Sequence, residues 1–151
     1  MADKVYGEVV FELEEVAGVH PPDPWERLWA YRVGPGLYNI DNIPIFVKGI
    51  STGDVVSVQQ VGSELYFKAL IRPSSNSVFR LYFYDESNVK VTRENFRMLG
   101  CEWAQYHFPN VIAIEIPNRV PIEPVVALIK EGAESGYWEY EQASLRHPVA
   151  V

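Results

Sequence analysis

The stretch that decides the fold is YNIDNIPIFVKGISTGDVV, residues 38–56. Alternating apolar residues lead into it, Pro44 and two glycines interrupt it, and Val55 and Val56 open a strand-like run at its end. Proline fixes φ and removes a backbone donor, whereas glycine permits turns that other residues disfavour. The stretch is therefore predicted to be a constrained turn motif at the centre of a small β domain.

The residues around this motif predict five short strands in the first half of the chain. The predicted strands are 5–13, 28–33, 37–40, 54–61 and 64–72. Short alternating strands separated by Gly or Pro turns are typical of a curved sheet or barrel. Between the first two strands, the segment 19–24 is predicted to be a loop, because its three prolines suit neither a helix nor a central strand. The sequence assigns no function to the prolines of 21–24.

A polar turn at 73–77 separates this half from a second half with a different pattern. The predicted subdomains are a β-barrel-like unit at 1–75 and an α+β unit at 76–151. The second unit has predicted strands at 78–84, 102–108, 111–116 and 137–142, and predicted helices at 87–99 and from 122 to a stop at Gly132. The order β-α-β-β-α-β is typical of the ferredoxin-like fold. The predicted fold class is therefore α+β.

Alternation divides the strands of the second unit into two faces. The face toward the helices is predicted to hold Phe79, Leu81, Phe83, Tyr106, Phe108, Ile112, Ile114 and Ile116. The opposite face is predicted to hold Arg80, Tyr82, Tyr84, Trp103, Gln105, His107, Ala113 and Glu115. An aromatic-rich face rarely stays bare. We expect it either to pack on the first unit or to bind a partner.

The charge balance excludes some partners. The chain has 20 Asp and Glu against 13 Lys and Arg, and a net charge of −7. Nucleic-acid binding requires clustered basic residues, so it is disfavoured. The sequence shows neither a secretory signal at its start nor an apolar run of the about 20 residues that cross a bilayer. We therefore expect a cytoplasmic protein without a membrane partner.

The residue types that carry catalysis are sparse. Cys101, the single cysteine, allows neither an intramolecular disulfide nor a cysteine-based zinc site. Beside Glu102 it is expected to be a buried structural thiol rather than a nucleophile. The histidines, His20, His107 and His147, lack the spacing of metal ligands, and His147 lies near an end that is expected to fray. No phosphate-binding or nucleophile motif is present, and we predict no cofactor and no metal.

Asp41 and Asp54 are the strongest candidates for acid–base chemistry. Two close carboxylates can separate their pKa values and act as acid and base. Together with His107 they define an alternative site, in a cleft between the two halves, for a small ligand or an enzymatic reaction. Turn chemistry is the simpler interpretation, because both aspartates lie where their side chains bond the local backbone.

Acidic residues crowd both ends of the chain. They are Glu8, Glu12, Glu14, Glu15, Asp23 and Glu26 near the start, and Glu131, Glu134, Glu139 and Glu141 near the end. Such runs are usually solvated, but they also steer a basic partner toward its docking surface. The predicted partner-binding residues are Tyr82, Tyr84, Trp103, Glu115, Trp138, Glu139 and Glu141.

Several blocks of the sequence resemble a bacterial family. They are LWA at 28–30, GLY at 36–38, IDNIPIF at 40–46, GIS at 49–51 and GDVV at 53–56, with later likeness in LGC at 99–101 and WEYE at 138–141. Over roughly residues 26–142 the chain resembles the family called domain of unknown function 4265. The resemblance implies a bacterial, stand-alone small protein and implies no reaction.

The sequence favours a non-enzymatic protein-binding module. Small size, negative charge and abundant aromatic residues fit a bacterial immunity or antitoxin-like protein that neutralises a basic toxin by occlusion. One alternative is the small-ligand or enzyme site in the cleft. Another is a regulatory domain that associates with itself. The identity of the partner, its binding face and the oligomeric state stay open.

Overall fold

The computed structural model describes residues 3–14, 23–106 and 110–148. Contacts divide the chain into two units, Met1–Ser74 and Ser75–Val151. The fold is mixed α+β and mostly β, as the sequence predicts. The predictions for residues 15–22 and for His107 and Phe108 lie outside the described residues.

The first unit is a five-stranded barrel. Its strands are β1 (Tyr6–Glu12), β2 (Trp25–Gly34), β3 (Leu37–Ile40), β4 (Val55–Val61) and β5 (Glu64–Arg72). Each strand pairs antiparallel with the next one in sequence. Parallel pairing of β1 with β5 closes the barrel, through Val9 beside Leu65 and Val10 beside Tyr66. The first and last strands are thus joined over a short seam.

The interior of the barrel explains why the 38–56 stretch organises it. The buried cluster holds Val9, Phe11, Leu28, Ala30, Ile40, Val47, Ile50 and Val56. The cluster residues that lie in strands occupy alternate positions, because the side chains of a strand point alternately to its two faces. Val47 and Ile50 come from the loop 41–54, so this loop supplies core residues. Burying a large apolar side chain contributes about 1.5–3 kcal/mol, and the loop therefore stabilises the barrel as a strand would.

The second unit is a four-stranded antiparallel sheet with two helices. Its elements are β6 (Ser77–Phe83), a 3-10 turn (Glu86–Asn88), α1 (Val89–Met98), β7 (Glu102–Tyr106), β8 (Val111–Ile116), α2 (Ile122–Glu134) and β9 (Trp138–Ser144). The strand order is β7-β8-β6-β9, which makes β7 and β9 the edge strands. Within the described ranges, no helix is long and apolar enough to cross a membrane.

Both helices contribute to one buried cluster with the sheet. The predicted residues of β6 and β8 lie there, namely Phe79, Leu81, Phe83, Ile112, Ile114 and Ile116. Phe96 of α1 and Val125 and Ile129 of α2 pack against them. Alternation in the two central strands therefore predicted the helix-facing side of the sheet correctly.

The predicted faces of β7 are reversed. Trp103 pairs with Ile114 and Gln105 with Ile112, which puts both side chains on the helix side of the sheet. Tyr106 consequently points to the other side. A slip of one residue exchanges the two faces of a strand, and the short sequence EWAQY has no strict alternation to prevent that error.

The predicted end of α2 is also wrong. Gly132 lies inside the helix, which continues to Glu134. Gly136, with φ of +81°, takes the left-handed conformation that follows a helix end. Gly132 and Gly136 are four residues apart, so the sequence offers two possible ends for the helix. Gly132 has a packing role, because a Cβ there would overlap the Trp138 ring.

Candidate functional site

The loop 41–54 is held in place by side chains from several parts of the barrel unit. The Glu26 carboxylate accepts hydrogen bonds from the backbone N–H groups of Ile45, Phe46 and Val47, at 2.8, 3.0 and 2.9 Å. Hydrogen bonds to a charged acceptor are among the stronger ones in proteins. Glu26 is one of the acidic residues near the start of the chain, and its carboxylate holds this loop in place.

Asp54 is fully buried and serves the same loop. Its carboxylate accepts from the N–H of Ser51 at 2.9 Å and from the N–H of Ser74 at 2.7 Å. The Asn42 side-chain oxygen accepts from the N–H of Trp29 at 2.7 Å. The local bond from Ser51 agrees with the turn interpretation of the Gly-Asp pair, whereas the Asn42 bond joins the loop to β2.

The alternative site of Asp41, Asp54 and His107 stays a prediction, because one of its three members is not among the described residues. Asp41 is exposed, whereas Asp54 is buried with its oxygens on backbone amides. His107 lies outside the described residues. Among the residues that are described, no group of three or more His, Cys, Asp and Glu is placed to hold a metal ion.

Cys101 has the environment of a structural thiol. Its side chain is buried in the core of the second unit. Burial, with the charges of Glu102 and Glu115, raises the pKa of the Cys101 thiol to about 12. Catalytic cysteines require a lowered pKa and access to solvent. The prediction that the thiol is buried is confirmed.

A buried serine–histidine pair is a feature that sequence reasoning missed. The Ser77 hydroxyl lies 2.7 Å from Nδ1 of His147, and Nε2 of the same ring lies 3.0 and 3.1 Å from the carbonyl oxygens of Pro117 and Val120. Carbonyls only accept, so Nε2 carries the proton and Nδ1 accepts from the Ser77 hydroxyl. His147 is therefore anchored, although the sequence placed it near an end that is expected to fray.

The same serine bonds the backbone of the C-terminal segment. Ser77 Oγ accepts from the N–H of Arg146 at 2.8 Å and from the N–H of His147 at 3.2 Å. Ser77 has no exposed surface. A nucleophilic serine needs an oxygen that a substrate can reach, and the Ser77 oxygen is not accessible. The Ser77–His147 pair instead holds the C-terminal segment against β6.

Three of the predicted partner-binding residues are wholly or partly buried. Trp138 is buried in the core, where its indole N–H donates to the carbonyl of Ile129 at 3.0 Å. Glu115 is buried as well. Trp103 is half-buried on the helix side, with the Arg93 guanidinium 4.2 Å above its ring. Binding anchors must be reachable, so the buried Trp138 and Glu115 are less accessible to a partner than the half-buried Trp103.

Glu141 and Tyr82 belong to a polar group around Arg80. The Arg80 side chain is buried, and its Nη1 lies 3.6 Å from a Glu141 oxygen. The Tyr82 hydroxyl donates to Glu141 at 3.3 Å. Burial raises the pKa of Tyr82, while the charge of Arg80 opposes the shift. A buried guanidinium needs an anionic partner, and Glu141 is therefore part of the structure.

The exposed part of the predicted set, Tyr84 and Glu139, lies on and beside the edge strand β9. Tyr84 is 66% exposed, and its hydrogen bond to Glu139 raises the pKa of the Tyr84 hydroxyl. Tyr137 and Tyr140 are 49% and 41% exposed. We call Tyr84, Tyr137, Glu139 and Tyr140 the β9 edge. Tyr137 and Tyr140 lie outside the predicted partner-binding set, although Tyr140 belongs to the family block WEYE.

The geometry defines a small α+β protein in which a closed barrel precedes a sheet with two helices. The family model described as Domain of unknown function (DUF4265) matches residues 26–140. The chain belongs to this family, as the resemblance indicated.

A solved structure adds evidence on the fold. A hypothetical protein from Neisseria gonorrhoeae is similar to this chain with a TM-score of 0.76 and 17% sequence identity. The similarity covers 98% of this chain and 99% of that one. At this identity the likeness concerns the fold alone. The comparison with curated proteins gave no match.

Proposed function

We propose that the protein is a non-enzymatic binding module of the immunity or antitoxin kind, which neutralises a basic toxin domain by occlusion. The net charge of −7 favours a basic partner, because opposite charges speed encounter. The β9 edge is the observation that carries the proposal.

The β9 edge combines the features of an energetic contact surface. Exposed tyrosines supply large contact areas at low entropic cost, and they are enriched among binding hot spots. Glu139 places a carboxylate beside Tyr84. An edge strand also offers backbone groups to an extended partner segment. Exposed tyrosines, the carboxylate of Glu139 and a pairing edge therefore occur together on and beside β9.

The proposal is tested by co-purification with the product of the neighbouring gene and by calorimetry on any complex. We expect Tyr84→Ala and Glu139→Lys to weaken binding, the second more strongly at low salt. Glu123→Lys, an exposed change on α2, is the charge-matched control. Glu141→Lys is avoided because it would place a second cation beside the buried Arg80. Equal affinity of all variants would reject the β9 edge, and no complex at all would reject the function.

Self-association is the alternative that the same edge supports. Two copies of β9 would pair and cover the tyrosines, as exposed edge strands tend to do. Light scattering over a wide concentration range separates the two ideas. A monomer at high concentration would count against self-association. The β9 edge would then be accessible to a different partner.

We also propose the ferredoxin-like class for the second unit. The element order from β6 to β9 and the strand order β7-β8-β6-β9 support this assignment, since both fit the split β-α-β-β-α-β motif. An experimental structure with the helices on one face and the same strand order would test it.

A further inference from the structure

The outward side of the barrel carries aromatic rings that the proposed function does not use. They are Tyr6, Trp25, Trp29, Tyr31 and Tyr66, and we call them the barrel face. Trp25 and Trp29 are 45% and 50% exposed. The rings meet edge to face in two pairs. The centroids of Tyr6 and Tyr31 are 6.0 Å apart, and those of Trp25 and Tyr66 are 6.1 Å apart.

Each tryptophan of the barrel face has an acidic neighbour on the adjacent strand. Glu8 lies opposite Trp29, and Glu12 lies opposite Trp25. Directly opposed residues on one face of a sheet have Cβ atoms about 4.5–5.5 Å apart. Both glutamates are exposed. The surface therefore presents indole rings and carboxylates side by side.

The barrel face already holds two cations of its own chain. The Lys4 ammonium lies 4.2 Å above the ring of Tyr31. Arg27 makes two hydrogen bonds to the carboxylate of Glu64, at 2.7 and 3.2 Å. These contacts show both ways in which such a surface binds a cation, namely over an aromatic face and against a carboxylate.

A polar recess of about 420 Å³ borders the barrel face. Its lining includes Tyr6, Glu8, Arg27, Tyr38 and Glu64. Arg27 is paired with Glu64. The carboxylate of Glu8 therefore gives the lining a net negative charge. A long cationic side chain suits this recess better than an anion does.

We propose that the barrel face binds an arginine-rich segment of a protein partner. Guanidinium groups stack on tryptophan and pair with carboxylates in a planar fork, which a lysine ammonium does not do. The glutamates beside Trp25 and Trp29 oppose the phosphates of a nucleic acid. This inference rests on the proposed protein-binding function, but it uses a surface within the first unit alone.

Fluorescence anisotropy of a labelled nona-arginine peptide with the full chain tests the inference. We expect binding that weakens about 5- to 30-fold in Trp29→Ala, the loss of one desolvated cation–π contact. Glu8→Lys should weaken it similarly. Glu123→Lys changes the net charge equally, lies on α2, and should leave the affinity nearly unchanged. Circular dichroism verifies that each variant is folded.

Several outcomes would overturn the inference. One is absence of peptide binding, and another is equal weakening by Glu8→Lys and Glu123→Lys, which would mean attraction by net charge only. Tighter binding of a labelled oligothymidine than of the peptide would also overturn it. Tyr84→Ala should leave peptide binding intact, so failure here is distinct from failure of the β9 edge.

Discussion

The indole ring of Trp138 occupies the space that a side chain at position 132 would need, because Gly132 of α2 lies directly against the ring. In an exposed helix, Gly to Ala stabilises by up to about 1 kcal/mol. Here we expect Gly132→Ala to destabilise the fold by about 1–3 kcal/mol through overpacking. Urea denaturation measures the change.

A double-mutant cycle assigns this cost to the ring. In a Trp138→Leu background, Gly132→Ala should cost less, because the shorter side chain leaves room for a methyl group. Glu131→Ala, an exposed change in the same helix turn, should have little effect. If Gly132→Ala stabilised the wild-type protein, the prediction would be contradicted. The result would mean that α2 and the Trp138 ring move apart at little cost in free energy.

Gly53 tests whether the 38–56 stretch is structural. Its φ of +88° lies in the left-handed region, where a side chain costs about 1–2 kcal/mol. We expect Gly53→Ala to lower stability by this amount. Gly34→Ala is the control, since an added Cβ there would meet Leu37 at an ordinary 3.5 Å. Unchanged melting with loss of a partner would instead make this stretch the functional site.

Cys101 should resist thiol reagents in the folded protein. A pKa raised to about 12 keeps the thiol protonated. At pH 8 about one thiol in ten thousand is then ionised, against about a quarter for a free cysteine. We expect Ellman's reagent to react at least about a thousandfold faster after unfolding in urea. Comparable rates before and after unfolding would contradict the structural role.

Ser77 should be needed for the stability of the second unit. Ser77→Ala removes the acceptor of two backbone N–H groups and the donor to His147. Each buried polar group left unpaired costs about 1–3 kcal/mol. Ser135→Ala, at an exposed helix end, is the control. Nitrogen NMR should find the proton of His147 on Nε2, and the other tautomer would contradict the hydrogen-bond assignment.

Strand positions were predictable where alternation was strict. The period of two in β6 and β8 placed Phe79, Leu81, Ile112 and Ile114 correctly on the helix side, although both faces of these two central strands are buried. β7 has mixed residues at alternate positions, so only pairing with β8 sets its faces. The C-terminal anchor at His147 depends on residues distant in sequence, which no local pattern reports.

The roles of the charged residues were the least predictable part of the candidate site. Glu26 and Glu139 look alike in sequence, yet the first fixes a loop and the second is exposed on an edge strand. Glu141 lies beside the buried Arg80. Alternation predicts the face of the sheet on which Arg80 lies, but it does not predict which carboxylate pairs with it. A run of acids predicts negative charge, whereas the tertiary fold decides which carboxylates remain available.

The short seam between β1 and β5 has a consequence for motion. These strands join through two residue pairs, whereas β1 and β2 join through seven. Separating Val9 and Val10 from Leu65 and Tyr66 would open the barrel without breaking its antiparallel hairpins. Local openings of this kind govern amide hydrogen exchange. The seam is therefore expected to exchange its amide protons before the rest of the barrel, and to be the last part of the barrel to close during folding.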